Sequence, residues 1–217
     1  MRLRCLLILI ASMLASVAAP AAKEAEAEGR RRLDSFLAGL VTLSAQFEQR
    51  VYDEVGVVLE TSSGNLMIAR PGKFSWIYLS PYHQTITSDG HSLWLYDEEL
   101  AQVTVNAMDT HAAGSAAYIL GENVDLDAQY EIAEVGTRDR ARWVKLIPKA
   151  DGQQYTSVEI GLGPDTLSAM RLTDNLGQVT ELRFSGLQRN LALDDQLFVF
   201  EIPPGVDVVT GDGTAPE

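Results

Sequence analysis

Between Arg70 and Tyr96 the chain reads RPGKFSWIYLSPYHQTITSDGHSLWLY, and no other stretch restricts its fold so tightly. Phe74, Trp76 and Tyr78 alternate with Ser75, Ile77 and Leu79, so a strand here has one aromatic face and one small or aliphatic face. Neither is an ordinary solvent face. Pro81 closes that strand, Asp89-Gly90 carries a two-residue hairpin signature, and Ser92 to Tyr96 resumes the β pattern with apolar residues on both sides. A meander of this kind needs a cover, because a flat sheet with two apolar faces would aggregate.

Helical and strand periodicities around it suggest what the cover is. A charged stretch from Lys23 to Arg32 leads into Leu33, Phe36, Leu37 and Leu40, one apolar stripe of an amphipathic helix. Leu43 to Val51 then alternates as a strand with one buried face, Asp53 to Gly56 turns, and Val57 to Arg70 returns with Leu66, Ile68 and Arg70 on one face. From Asn106 to Asn123 the alternation stops, and Met108, Ala112, Ala116 and Ile119 form a weak apolar stripe on a second helical stretch. Further strands are predicted at Tyr130–Val135, Trp143–Ile147, Tyr155–Ile160, Leu167–Leu172, Val179–Phe184 and Phe198–Ile202, separated by Asp151-Gly152, Gly163-Pro164-Asp165 and Asp174 to Gly177. The predicted fold is mainly β: about eleven strands in one strongly curved antiparallel sheet, an incomplete β-barrel whose apolar concave face lies under short helices.

Residues 1–21 have the layout of a cleaved secretory leader: Arg2 and Arg4, an apolar run from Leu6 to Val17, and Ala19-Pro20-Ala21 as a small-x-small cleavage site. That run of about a dozen residues falls short of the roughly 20 needed to span a bilayer. The expected domain is 22–217, with a polar tail at 210–217 expected to be disordered. Cys5 lies in the leader, so a mature chain would have no thiol and no disulfide. The charge of −13 becomes −15 once Arg2 and Arg4 are removed, which argues against nucleic acid or anionic headgroups as electrostatic partners.

For catalysis the sequence offers no G-x-S-x-G elbow, no H-E-x-x-H and no phosphate loop; Gly161-x-Gly163-Pro164 reads as a turn. His83, Asp89 and His91 form the only H-x5-D-x-H spacing, more typical of exposed polar residues around a turn than of a metal site, and His111 has no obvious partner. No catalytic residue, cofactor or metal is expected.

Arg70-Pro71-x-x-Phe74-x-Trp76, Ser80-Pro81-Tyr82 and Ser88-Asp89-Gly90-x-x-Leu93-Trp94-x-Tyr96, followed by Gln102-Val103-Thr104 and Phe198-x-Phe200-x-x-Pro203-x-Gly205-Val206, resemble the LolA family, periplasmic carriers of outer-membrane lipoproteins. From Gly121 to Gly177 the likeness is one of strand pattern only. The resemblance implies a periplasmic, monomeric, non-enzymatic carrier whose cavity receives acyl chains. Its implied partners are acylated lipoproteins as cargo, an inner-membrane ABC transporter of LolCDE type and an outer-membrane acceptor resembling LolB. Expected cavity-lining residues are Phe47, Leu66, Ile68, Phe74, Trp76, Tyr78, Leu93, Leu95 and Met170, and expected lid-helix residues are Leu33, Phe36, Leu37, Leu40, Met108 and Ile119. Arg70 matches the family arginine that holds the helical lid through backbone carbonyls. Two alternatives share these features: a periplasmic lipid- or lipoprotein-sensing module of the same fold, and an enzyme acting on an acyl ligand.

Overall fold

A computed structural model describes residues 28–107 and 116–210; the expected leader, Met108, His111, Ala112 and residues 211–217 lie outside them. Twelve strands form one sheet: β1 (Thr42–Tyr52), β2 (Val58–Ala69), β3 (Lys73–Ser80), β4 (Gln84–Asp89), β5 (Ser92–Asp97), β6 (Gln102–Ala107), β7 (Tyr130–Arg138), β8 (Ala141–Pro148), β9 (Tyr155–Leu162), β10 (Leu167–Asp174), β11 (Val179–Arg189) and β12 (Asp207–Thr210). Their order is β12-β6-β5-β4-β3-β2-β1-β11-β10-β9-β8-β7, a curved open sheet with β12 and β7 at its edges. Every pairing is antiparallel except β12 on β6.

Residues paired across neighbouring strands point to the same side of the sheet. On the concave side one row runs Leu66, Trp76, Ile86, Leu95 and another Ile68, Phe74, Ser88, Leu93. Val144, Ile160, Met170 and Leu182 continue the concave side on the other half. All of these but Ser88 and Leu95, with Leu43, Leu146 and Val158, belong to the main core or pack against it.

Helix α1 (Glu28–Leu37) lies over β7, β8 and β9 and buries Leu33 and Phe36, each contributing about 1.5–3 kcal/mol. Its i,i+4 pairs Glu28–Arg32 and Arg30–Asp34 support the exposed side, and Gly39, at φ +65°, ends it where a residue with a Cβ would be strained. Leu40 packs just beyond the helix. Helix α2 (Ala116–Gly121) covers β2 and β3 with Ile119 and Leu120 buried. Helix α3 (Leu126–Gln129), a single turn capped by Asp125, leads into β7.

The convex side is held differently in its two halves. Across β8, β9, β10, β11 and β1 the paired residues Lys145, Glu159, Arg171, Glu181 and Arg50 alternate in charge, a ladder that lets the outer face meet water. Over β3 to β5 an apolar cover is needed, and the C-terminal segment supplies it. The predicted strand at Phe198–Ile202 is instead a 3-10 turn (Asp195–Phe198) followed by extended chain. Phe198 is fully buried there, and the ring of Phe200 stacks on Trp94 and meets Tyr96. Side-chain anchoring to the outer face replaced backbone pairing at that point. Pairing resumes only at β12, which takes in Thr210 of the expected disordered tail. Asn106 and Ala107 likewise belong to β6, where the alternation had been read as ending.

Candidate functional site

An apolar cavity of about 260 Å³ lies between the concave wall and the start of α2. Phe74, Trp76, Tyr78 and Leu93 line it, together with Ile86 and, from the opposite wall, Tyr155, Leu172 and Leu182. Of the other expected lining residues, Phe47, Leu66, Ile68 and Met170 are packed within the solid core, and Leu95 stands beside Ile86 on the same face, outside the cavity. The opposite wall was readable as alternating positions of the later strands, but only curvature brings it across. Ala116 and Ala117 close the top; their small side chains leave the space beneath α2 empty.

Phe47 and Tyr78 meet edge to face, ring centroids 5.1 Å apart, across Gly64, the residue between them in their row. A Cβ at Gly64 would fall 1.8 Å from the Ile77 carbonyl oxygen, so the position demands glycine. The Tyr78 hydroxyl donates to Gln49 Oε1 at 3.1 Å, where the wall turns from apolar to polar. Burial pushes the Tyr78 phenol up to about 12, with Glu60 adding to the effect.

Arg70 lies at the other end of the wall, roughly 20 Å from Gly64 along β2 at about 3.3 Å per residue. Its Nε donates to the Leu120 carbonyl at the end of α2, 2.8 Å, and its Nη1 to the Leu37 carbonyl at the end of α1, 3.4 Å. Nη2 is buried without a hydrogen-bond partner among the described residues, and burial draws the guanidinium pKa below the ordinary arginine value. A cation placed against helix C-terminal carbonyls is electrostatically favoured there. Arg189, which sequence reading missed, does the same from the end of β11: Nη2 donates to the Ala38 carbonyl at 3.2 Å and the guanidinium lies over the Phe36 ring. Its signal was an arginine ending a strand, as Arg70 follows one. Leu33, Phe36, Leu37, Leu40 and Ile119 all sit in or beside the helices expected to carry them.

His83 and His91 are at opposite ends of β4. His83 faces Glu98 at 3.7 Å, while Asp89 accepts from the backbone N–H of His91 and Ser92. Among the described residues no three His, Cys, Asp or Glu side chains come together as a metal site, and no helix is long and apolar enough to cross a membrane.

The family model described as "Outer membrane lipoprotein carrier protein LolA" matches residues 38–201. An outer-membrane lipoprotein carrier protein of Nitrosospira multiformis is 40% identical over 85% of this chain and 89% of its own. One of Methylococcus capsulatus is 40% identical over 86% and 90%. Among solved structures, an uncharacterized conserved protein from Thermus thermophilus has the same fold at 16% identity, with a TM-score of 0.51 over 83% of this chain and 98% of that one.

Proposed function

This chain belongs to the LolA family of outer-membrane lipoprotein carrier proteins, and from that premise we propose that it shuttles acylated lipoproteins across the periplasm. It receives them from an inner-membrane ABC transporter of LolCDE type and delivers them to an outer-membrane acceptor resembling LolB. As a carrier it is not an enzyme: it shelters acyl chains and makes or breaks no covalent bond.

The supporting observation is an apolar cavity under a short helix whose end is held by Arg70. Moving about 45 methylenes of three acyl chains into water costs on the order of 36 kcal/mol, so unassisted desorption is negligible. Exchange between apolar sites avoids most of that penalty. A cavity of about 260 Å³ is far smaller than three acyl chains of about 45 methylenes together. Loading therefore requires α2 to move away from the wall.

The test mixes the purified protein with a detergent-solubilised triacylated lipoprotein, removes the detergent and separates by size. A soluble complex is expected, which passes its cargo to vesicles carrying the purified acceptor. Lipoprotein that aggregates apart from this protein would overturn the carrier reading.

A further inference from the structure

Toward the β1–β2 hairpin the inner wall changes character. The paired rows Leu43 with Ile68, Ala45 with Leu66 and Phe47 with Gly64 are followed by Gln49 with Ser62 and Val51 with Glu60. Beyond this boundary a groove of about 470 Å³ opens, sharing Gln49 and Tyr78 with the apolar cavity. Glu60, Asp97 and Glu99 border it, and no basic side chain does among the described residues. Asp97 stands on the inner row with Tyr78, through Gln84.

Ser62 distinguishes this groove from a chance cluster of acids. It lines the groove, is only 3% exposed, and its Oγ has no hydrogen-bond partner among the described residues. A buried hydroxyl is disfavoured in that state unless something occupying the groove completes its bonding.

Resting on the carrier reading, we propose that this groove is the subsite for the polar junction of the cargo, the peptide directly following the acylated residue, and that its carboxylates favour basic over acidic residues there. An amphiphile whose chains fill the cavity leaves it where the wall turns polar. Ser62 Oγ and the Gln49 amide then meet the first peptide groups, while Glu60, Asp97 and Glu99 accept from cationic side chains and repel anionic ones.

Two triacylated lipopeptides identical except for lysines or glutamates after the anchor test this by equilibrium binding to the purified protein. The lysine form is expected to bind about tenfold tighter at low salt, a gap that narrows as salt rises. The triple variant Glu60→Gln, Asp97→Asn, Glu99→Gln should equalise the two. A second triple at remote exposed positions, Glu131→Gln, Asp151→Asn, Glu201→Gln, should keep the preference, which separates the groove from overall charge. Ser62→Ala should weaken both lipopeptides several-fold yet leave binding of an apolar fluorescent probe unchanged. Equal binding to the unmodified protein, or a preference that survives the first triple, overturns the subsite alone. Binding of neither lipopeptide nor probe overturns the carrier reading with it.

Discussion

Glu134 of edge strand β7 holds the backbone N–H of Arg30 at 2.7 Å, so helix α1 is capped by a side chain 104 residues further along the chain. The same carboxylate also accepts from Gly29 N–H at 3.2 Å. Further ties surround it: Glu28 to Arg142 at 2.7 Å, Arg30 to Asp127 at 2.7 Å, and Arg32 to the Leu162 carbonyl at 3.2 Å. At the far end Asn190 Nδ2 donates to the Gly39 carbonyl at 3.0 Å. Helix α1 is thus pinned at both ends to the sheet. Helix α2 is six residues long and is tied at its C-terminal end by Arg70 and by Gly72 N–H to the Gly121 carbonyl, 3.0 Å. On the carrier reading, α2 is the element proposed to move on loading.

Glu134→Ala removes the cap without touching the cavity. Loss of an N-cap acceptor costs about 1 kcal/mol, which in a protein of this size lowers the melting temperature by roughly 2–4 °C. Calorimetry should show that fall while lipopeptide affinity stays unchanged. A clear gain in lipopeptide loading would mean that α1, not α2, is the element that opens.

Arg70→Leu acts on α2, the helix proposed to move. Leucine takes away the donor to the Leu120 and Leu37 carbonyls and adds apolar surface beside the core, which favours the open, loaded state over the closed, empty one. A shift of about 1.4 kcal/mol is tenfold in that balance. The variant should fold and accept lipoprotein but release it to the acceptor about tenfold more slowly. Delivery at the normal rate in a reconstituted transfer assay would sink the idea that Arg70 controls closure.

Alkaline titration reports on the boundary at Tyr78. Its phenol ionises near 10 when unfolded and near 12 when folded, so between these values the unfolded chain binds fewer protons than the native one. The stabilisation is complete below pH 10 and is lost as pH rises through about 12, with a slope of up to roughly 1.4 kcal/mol per pH unit from this residue. Burial raises Tyr130 and Tyr155 in the same direction. Denaturant midpoints measured across this range should fall with pH, and less steeply in Tyr78→Phe. An unaltered slope in that variant would place the loss elsewhere.

The division between what was legible and what was not follows from the range of the interactions. Alternation in Leu43 to Val51 and Phe74 to Tyr78 fixed which side chains face inward, because period two is a local property of extended backbone. Arg70 stood out because an arginine in register with Leu66 and Ile68 needs a partner indoors. The partners themselves, the Leu120 and Leu37 carbonyls, come from segments 50 and 33 residues away, and no local pattern marks a carbonyl. Tyr155, Leu172 and Leu182 read as ordinary core positions; curvature of the sheet alone turns them toward Trp76. Phe198 and Phe200 looked like a strand since their spacing is two, yet they serve as anchors on the outer face.

Gly64 offers the sharpest structural test. β2 and β3 shift register between Ser63 and Gly64, which brings the Ile77 carbonyl over the glycine Cα, and a Cβ would stand 1.8 Å from that oxygen. Backbone cannot swing aside as a flexible side chain would, so Gly64→Ala must break the local β2–β3 pairing or displace β3. Forced overpacking in a core usually costs about 1–3 kcal/mol, and a rigid backbone neighbour puts this case at the upper end. Displacing β3 also moves Tyr78 away from Phe47 and Gln49, opening the end of the cavity where the wall becomes polar. Urea unfolding should therefore show a loss near 3 kcal/mol, accompanied by weaker binding of an apolar probe. A loss below about 0.5 kcal/mol, the usual range of a neutral surface change, would mean that the bulge at Gly64 relaxes freely and does not shape the cavity.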